Sequence, residues 1–127
     1  MTQYPQVYAK VKEEVDQFYG DGINVTIENI QKMDYLMATI KESLRVFSPA
    51  VSNFQRVATQ DHMLGNIKVK KGTYATADLT ARNFDPRVFK DPEEFRPERF
   101  LKNDPMHSFQ FIPFSAGSHN CIGQHFA

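Results

Sequence analysis

Cysteine occurs once in these 127 residues, as Cys121, within Phe114-Ser115-Ala116-Gly117-Ser118-His119-Asn120-Cys121-Ile122-Gly123-Gln124-His125-Phe126-Ala127. A single thiol cannot close an intramolecular disulfide. Approached through glycine and small residues and followed by an apolar helical start, it is placed to ligate rather than to cross-link. The ligating species is the thiolate, and Gly117 and Gly123 let the backbone approach a sulfur-bound group where a side chain would collide. Two other readings of the stretch stay open. His119-x-Cys121-x-x-x-His125 offers a small zinc site, with His107 as a fourth ligand and with Cys121 and His125 on one helix face, as ligands at i and i+4 can be. A lone cysteine can also be inert core.

Charged motifs lie upstream. In Lys41-Glu42-Ser43-Leu44-Arg45 the acid and the second base sit three residues apart on a helix, about 60° from one another around its axis. Composition alone favours a solvated ion pair there, contributing a few tenths of a kcal/mol. Phe95-Arg96-Pro97-Glu98-Arg99-Phe100 follows Asn83-Phe84-Asp85-Pro86 and Asp91-Pro92. It reads as a proline-bent loop with aromatics tucked inward and charges outside. Arg56 reads as an exposed arginine on a strand edge.

The elements that must hold these residues follow from periodicity. Val7, Tyr8, Val11, Val15 and Phe18 make one face of a helix over residues 5–18, with Pro5 at its start and Gly20 past its end. Residues 26–31 give a short helical turn. From Met33 to Phe47 the pattern is the clearest in the chain: Met33, Leu36, Met37, Ile40, Leu44 and Phe47 form an apolar stripe with Glu42 roughly opposite, and Pro49 stops the helix. Short strands are expected at 52–58, 67–70 and 74–79, with Lys71-Gly72-Thr73 turning between the last two. Beyond Asp85, Pro86, Pro92, Pro97, Pro105 and Pro113 enforce an irregular coil, broken by one short acidic helix at Pro92-Glu93-Glu94-Phe95. A further helix starts near Cys121. The fold class is mainly α with a small β region.

Fifteen basic and fifteen acidic residues cancel. No basic field argues for nucleic acid, and no acidic tail for disorder. No apolar run approaches the roughly 20 residues that span a bilayer, so membrane contact would come through segments outside this chain. At Ala127 the last helix has barely begun, and the first helix needs neighbours to cover its apolar side. Both ends read as cuts in a larger protein.

The spacing Phe-x-x-Gly-x-(basic)-x-Cys-x-Gly-x-x-x-Ala of residues 114–127, with Glu42-x-x-Arg45 and Pro97-Glu98-Arg99-Phe100 before it, resembles the cytochrome P-450 family of haem-thiolate monooxygenases. The resemblance covers nearly the whole chain. It implies a partial P-450 domain over residues 1–127, incomplete at both ends and supplying the proximal side of the haem pocket. Cys121 would ligate haem iron, and a thiolate there favours cleavage of the O–O bond of bound oxygen. Phe114 would pack on the cysteine side of the haem, and Arg56 and His119 would hold propionates. Glu42, Arg45 and Arg99 would form a buried network behind the haem, serving folding and haem retention rather than bond-making. The segment 51–54 would line part of the substrate pocket.

This sequence departs from the family pattern at His119, where an arginine is usual, and at Ser115, often glycine. Histidine is shorter and only partly charged near neutral pH. The acid–threonine stretch that serves the oxygen side in such enzymes lies outside this sequence, so the chain by itself is expected to be inactive. The resemblance implies insertion of one oxygen atom of O2 into an apolar substrate, electrons from a reductase, and a lean to the endoplasmic reticulum membrane on its cytosolic face. A non-catalytic remnant of such an enzyme is the alternative reading.

Overall fold

A computed structural model describes residues 3–19, 26–50, 52, 54–101 and 109–126. The first helix, α1, spans Pro5–Tyr19. Pro5 sits where a missing N–H costs nothing. Val7 and Val11 are buried, whereas Tyr8 of the expected apolar face is exposed. The turn α2, Ile27–Ile30, is opened by Thr26, whose hydroxyl accepts from Asn29 N at 3.2 Å.

Helix α3 covers Asp34–Val46, and the face it buries corrects the sequence reading. Met33 is buried, but Ile40 and Phe47 of the apolar stripe are exposed, and the covered side carries Ala38, Thr39, Glu42 and Arg45. The reason lies in partners rather than in area. Glu42 and Arg45 find hydrogen-bond partners on that side, which offsets their desolvation; Phe47 meets the Phe95 ring at 6.1 Å yet stays largely exposed, as does Ile40.

The β region comprises β1 (Arg56–Val57), β2 (His62–Leu64), β3 (Ile67–Val69) and β4 (Tyr74–Ala75). Two antiparallel pairs form, β1 with β4 and β2 with β3, and Ser52 bridges Asp78. β2 was not expected. It pairs through a two-residue loop with Gly65 at φ 58°, a left-handed conformation that glycine adopts without steric cost. The turn at 71–73 therefore joins two strands that pair elsewhere. Residues 79–83, expected as strand end and coil, form helix α4 (Leu79–Asn83), capped by Asp78, whose carboxylate accepts from Ala81 N at 2.9 Å.

The coil after Asp85 lacks the expected acidic helix at 92–95. A single turn stands there, closed by Glu94 N donating to Asp91 O at 3.1 Å, and a 3-10 turn follows at Pro97–Phe100. Another 3-10 turn, Ile122–His125, takes the place of the α-helix expected from Cys121. The Gly20 helix stop, Val51 of the pocket-lining segment, Pro105, His107, Met1 and Ala127 lie outside the described residues. No helix among the described residues is long and apolar enough to cross a membrane.

Candidate functional site

Three charged side chains from two distant segments converge in the interior. Glu42 and Arg45 are each 0% exposed and Arg99 5%. Arg45 uses all five of its N–H donors: Nε to Glu42 Oε2 at 2.9 Å, Nη2 to Glu42 Oε1 at 2.9 Å and Glu94 O at 3.0 Å, and Nη1 to Asn83 O and Pro92 O, each at 2.8 Å. Arg99 donates from Nε to Glu42 Oε1 at 3.1 Å, from Nη1 to Lys90 O at 2.9 Å, and from Nη2 to Asp91 O at 3.2 Å and Glu94 O at 3.3 Å. Arg96 N adds a bond to Glu42 Oε1 at 2.8 Å. The solvated pair that composition favours is thus overturned. Glu42 accepts four bonds, about the capacity of a carboxylate.

One carboxylate faces two guanidinium groups, so the second positive charge needs another counterpart. Backbone carbonyls of residues 83, 90, 91, 92 and 94 supply it. The same contacts explain the coil. Carbonyls that a helix would pair internally are drawn onto planar guanidinium forks, and Asp91 turns at φ 49°, a left-handed conformation that aspartate tolerates better than most. Asn83 closes the arrangement by donating Nδ2 to Arg45 O at 3.1 Å. Phe89 lies beneath both guanidiniums, with its centroid 5.2 Å from Arg45 Cζ and 5.9 Å from Arg99 Cζ.

Aromatic contacts lead from this network toward the cysteine loop. The Phe89 and Phe100 rings stand 6.4 Å apart and those of Phe100 and Phe111 4.7 Å apart. The loop then closes twice through its backbone: Ser115 N donates to Ile112 O at 3.0 Å, and Cys121 N to Phe114 O at 2.8 Å. Cys121 is exposed among the described residues. Gly117 holds φ 82°. A Cβ on Gly123 would stand 3.7 Å from Cys121 Sγ, in ordinary van der Waals contact. Phe114 is half-buried and His119 exposed. Ile122 is 96% and Phe126 98% exposed, so apolar surface lies open beside the thiol.

Other expected site residues stand apart. Arg56 is exposed on β1 opposite Ala75. Among the described residues no group of three or more His, Cys, Asp or Glu side chains is placed to hold a metal ion, so His119, Cys121 and His125 do not make a zinc site. Sequence reasoning missed the roles of Asn83, Phe89 and the Arg96 backbone. The Asn83-Phe84-Asp85-Pro86 motif was a signal for the first; the others depend on contacts no local pattern displays.

Comparison with known proteins identifies the family. The family model described as Cytochrome P450 matches residues 1–127. The chain is 48% identical over 126 residues to "Cytochrome P450 4V2" of Mus musculus, covering 97% of this chain and 24% of that protein. It is 41% identical over 128 residues to "Cytochrome P450 4c3" of Drosophila melanogaster, covering 98% and 24%, and 34% identical over 129 residues to "Cytochrome P450 3A28" of Bos taurus, covering 100% and 25%. The chain belongs to the cytochrome P450 family, whose members use haem iron and act as haem-thiolate monooxygenases. It spans about a quarter of the length of these relatives.

The residues present fit a haem. An accessible sulfur, a glycine beside it in place of a side chain, and uncovered apolar surface suit an apolar macrocycle carrying a metal at its centre. The small core and the exposed stripe of α3 are in keeping with part of a larger, mainly helical fold.

Proposed function

We propose that the complete protein inserts one oxygen atom of O2 into an apolar substrate, with Cys121 as the residue that would hold its haem iron. The observation that carries this reading is the exposed Cys121 thiol, at the end of a loop closed by its own N–H on Phe114 O at 2.8 Å. Bound there, haem supplies oxygen activation, and a thiolate ligand donates electron density that favours it.

The chain's own residues bind and orient. Gly117 allows the left-handed turn that brings the loop round, and Gly123 leaves the sulfur without a side chain beside it. Phe114 packs on the cysteine side of the haem. Arg56 and His119 supply cations for the haem propionates, His119 more weakly than an arginine fork would. Glu42, Arg45 and Arg99 brace the coil behind the loop and make no bonds to reacting atoms. The partners are O2, an apolar small molecule and an electron-donating reductase. The wording of the cysteine loop favours the cytosolic face of the endoplasmic reticulum membrane, reached through segments outside this chain.

Purification of the complete protein tests this reading through pigment and metal analysis. One haem per chain supports it. A colourless product without haem contradicts it.

A further inference from the structure

A second polar cluster lies outside the network around Glu42. Tyr35, at the start of α3, is held at both ends. Its hydroxyl donates to Glu98 Oε1 at 3.0 Å, the same oxygen that accepts Lys10 Nζ at 2.7 Å from α1. Its backbone N–H donates to Glu14 Oε1 at 2.9 Å, and that of Leu36 to Glu14 Oε2 at 2.7 Å. Lys10 Nζ also lies 5.4 Å from the Tyr35 ring centroid. Burial raises the Tyr35 phenol above its ordinary range, and donation to Glu98 raises it further. The phenol therefore remains a donor at any physiological pH.

Glu98 and Arg99 are neighbours in the Pro97–Phe100 turn, and Tyr35 and Glu42 lie two turns apart on α3. We infer that Tyr35 is a positioning residue: by fixing Glu98 it sets where the adjacent Arg99 meets Glu42, so the 3-10 turn is registered against α3 at two points. The Lys10 side chain is more than half exposed and flexible, whereas the part-buried phenol comes from α3 itself and so ties the turn directly to that helix. The inference rests on the haem-binding reading only where haem loss is the measurement.

Its test uses the complete protein with Tyr35→Phe, Glu98→Gln, Arg99→Lys and the double variant Tyr35→Phe/Arg99→Lys. The rate of haem transfer to an excess of a haem-scavenging protein is followed, together with the thermal midpoint. Tyr35→Phe raises the rate about tenfold, the scale of one hydrogen bond to a charged group. Glu98→Gln, whose amide oxygen still accepts the phenol but without the charge, raises the rate less than Tyr35→Phe does; a larger rise than Tyr35→Phe counts against the phenol as the anchor. The double variant loses haem no faster than Arg99→Lys, because both changes act through one contact. A parent-like rate for Tyr35→Phe, or single effects that multiply, overturns the inference. If the protein holds no haem, the functional reading fails, and the thermal midpoints of the same proteins decide the anchor: non-additive losses support it and additive losses overturn it.

Discussion

Glu42 and Arg99 are 57 residues apart in sequence and joined at 3.1 Å, with their side chains 0% and 4% exposed. Such a pair contributes less through net attraction than through what its loss leaves behind. Glu42→Gln strands two guanidiniums without a counter-charge, and we expect it to destabilise the complete protein by about 3–5 kcal/mol. Urea unfolding checks this. A loss of about 1 kcal/mol or less, the scale of an exposed pair, would contradict the buried geometry.

Helix α3 has methionine at its N-cap, with no side-chain cap bond of its own. Glu14 supplies the missing cap from α1, taking the N–H groups of both Tyr35 and Leu36. Glu14→Ala should therefore cost about 0.5–2 kcal/mol, the range for a lost cap. Hydrogen exchange locates the effect: faster exchange at Tyr35 and Leu36 is expected, and unchanged protection there would refute the cap.

Ser115 adopts φ 66°, a left-handed conformation that costs a non-glycine residue roughly 1–2 kcal/mol. Ser115→Gly should stabilise the cysteine loop by about 1 kcal/mol after its larger unfolded-state entropy is counted. Gly117→Ala, at φ 82°, should do the opposite. Slower haem loss in the first variant and faster loss in the second are the expected readings. Equal behaviour of the two would exclude this backbone assignment.

Acid should weaken the contacts of Asp85 and Glu98. Hydrogen bonds from the Arg87 side chain hold the Asp85 carboxyl at about 2, against an ordinary value of 3.8. Burial opposes ionisation of Glu98, but bonds from Lys10, its own backbone N–H and Tyr35 outweigh it and hold that carboxyl below its usual range. Both folded-state values lie below the unfolded ones. Their stabilisation is therefore complete above the unfolded values and lost as pH falls, for Asp85 between about 4 and about 2. Asp85→Asn should flatten the acid limb of a pH–stability curve; an unaltered limb would remove Asp85 from this account.

The extents of α1 and α3 were legible in the sequence, because 3.6-residue periodicity is local. The buried face of α3 was not. Its stripe of Met37, Ile40 and Phe47 carries the local signal, whereas Glu42 and Arg45 are drawn inward by partners at Asn83, Pro92, Arg96 and Arg99. The turn at 92–95 was misread as helix for the same reason: arginine forks from elsewhere claim its carbonyls. Helix α4 could have been anticipated from Asp78 three residues before Ala81, a capping pattern hidden by the strand-like run ahead of it.

The measurement that bears most directly on Cys121 is the reduced carbon-monoxide difference spectrum of the complete protein, taken for the parent and for Cys121→Ala at equal haem loading. A thiolate-type band in the parent that vanishes in the variant is the predicted result. A band that survives the loss of Cys121 would contradict its assignment as the haem ligand.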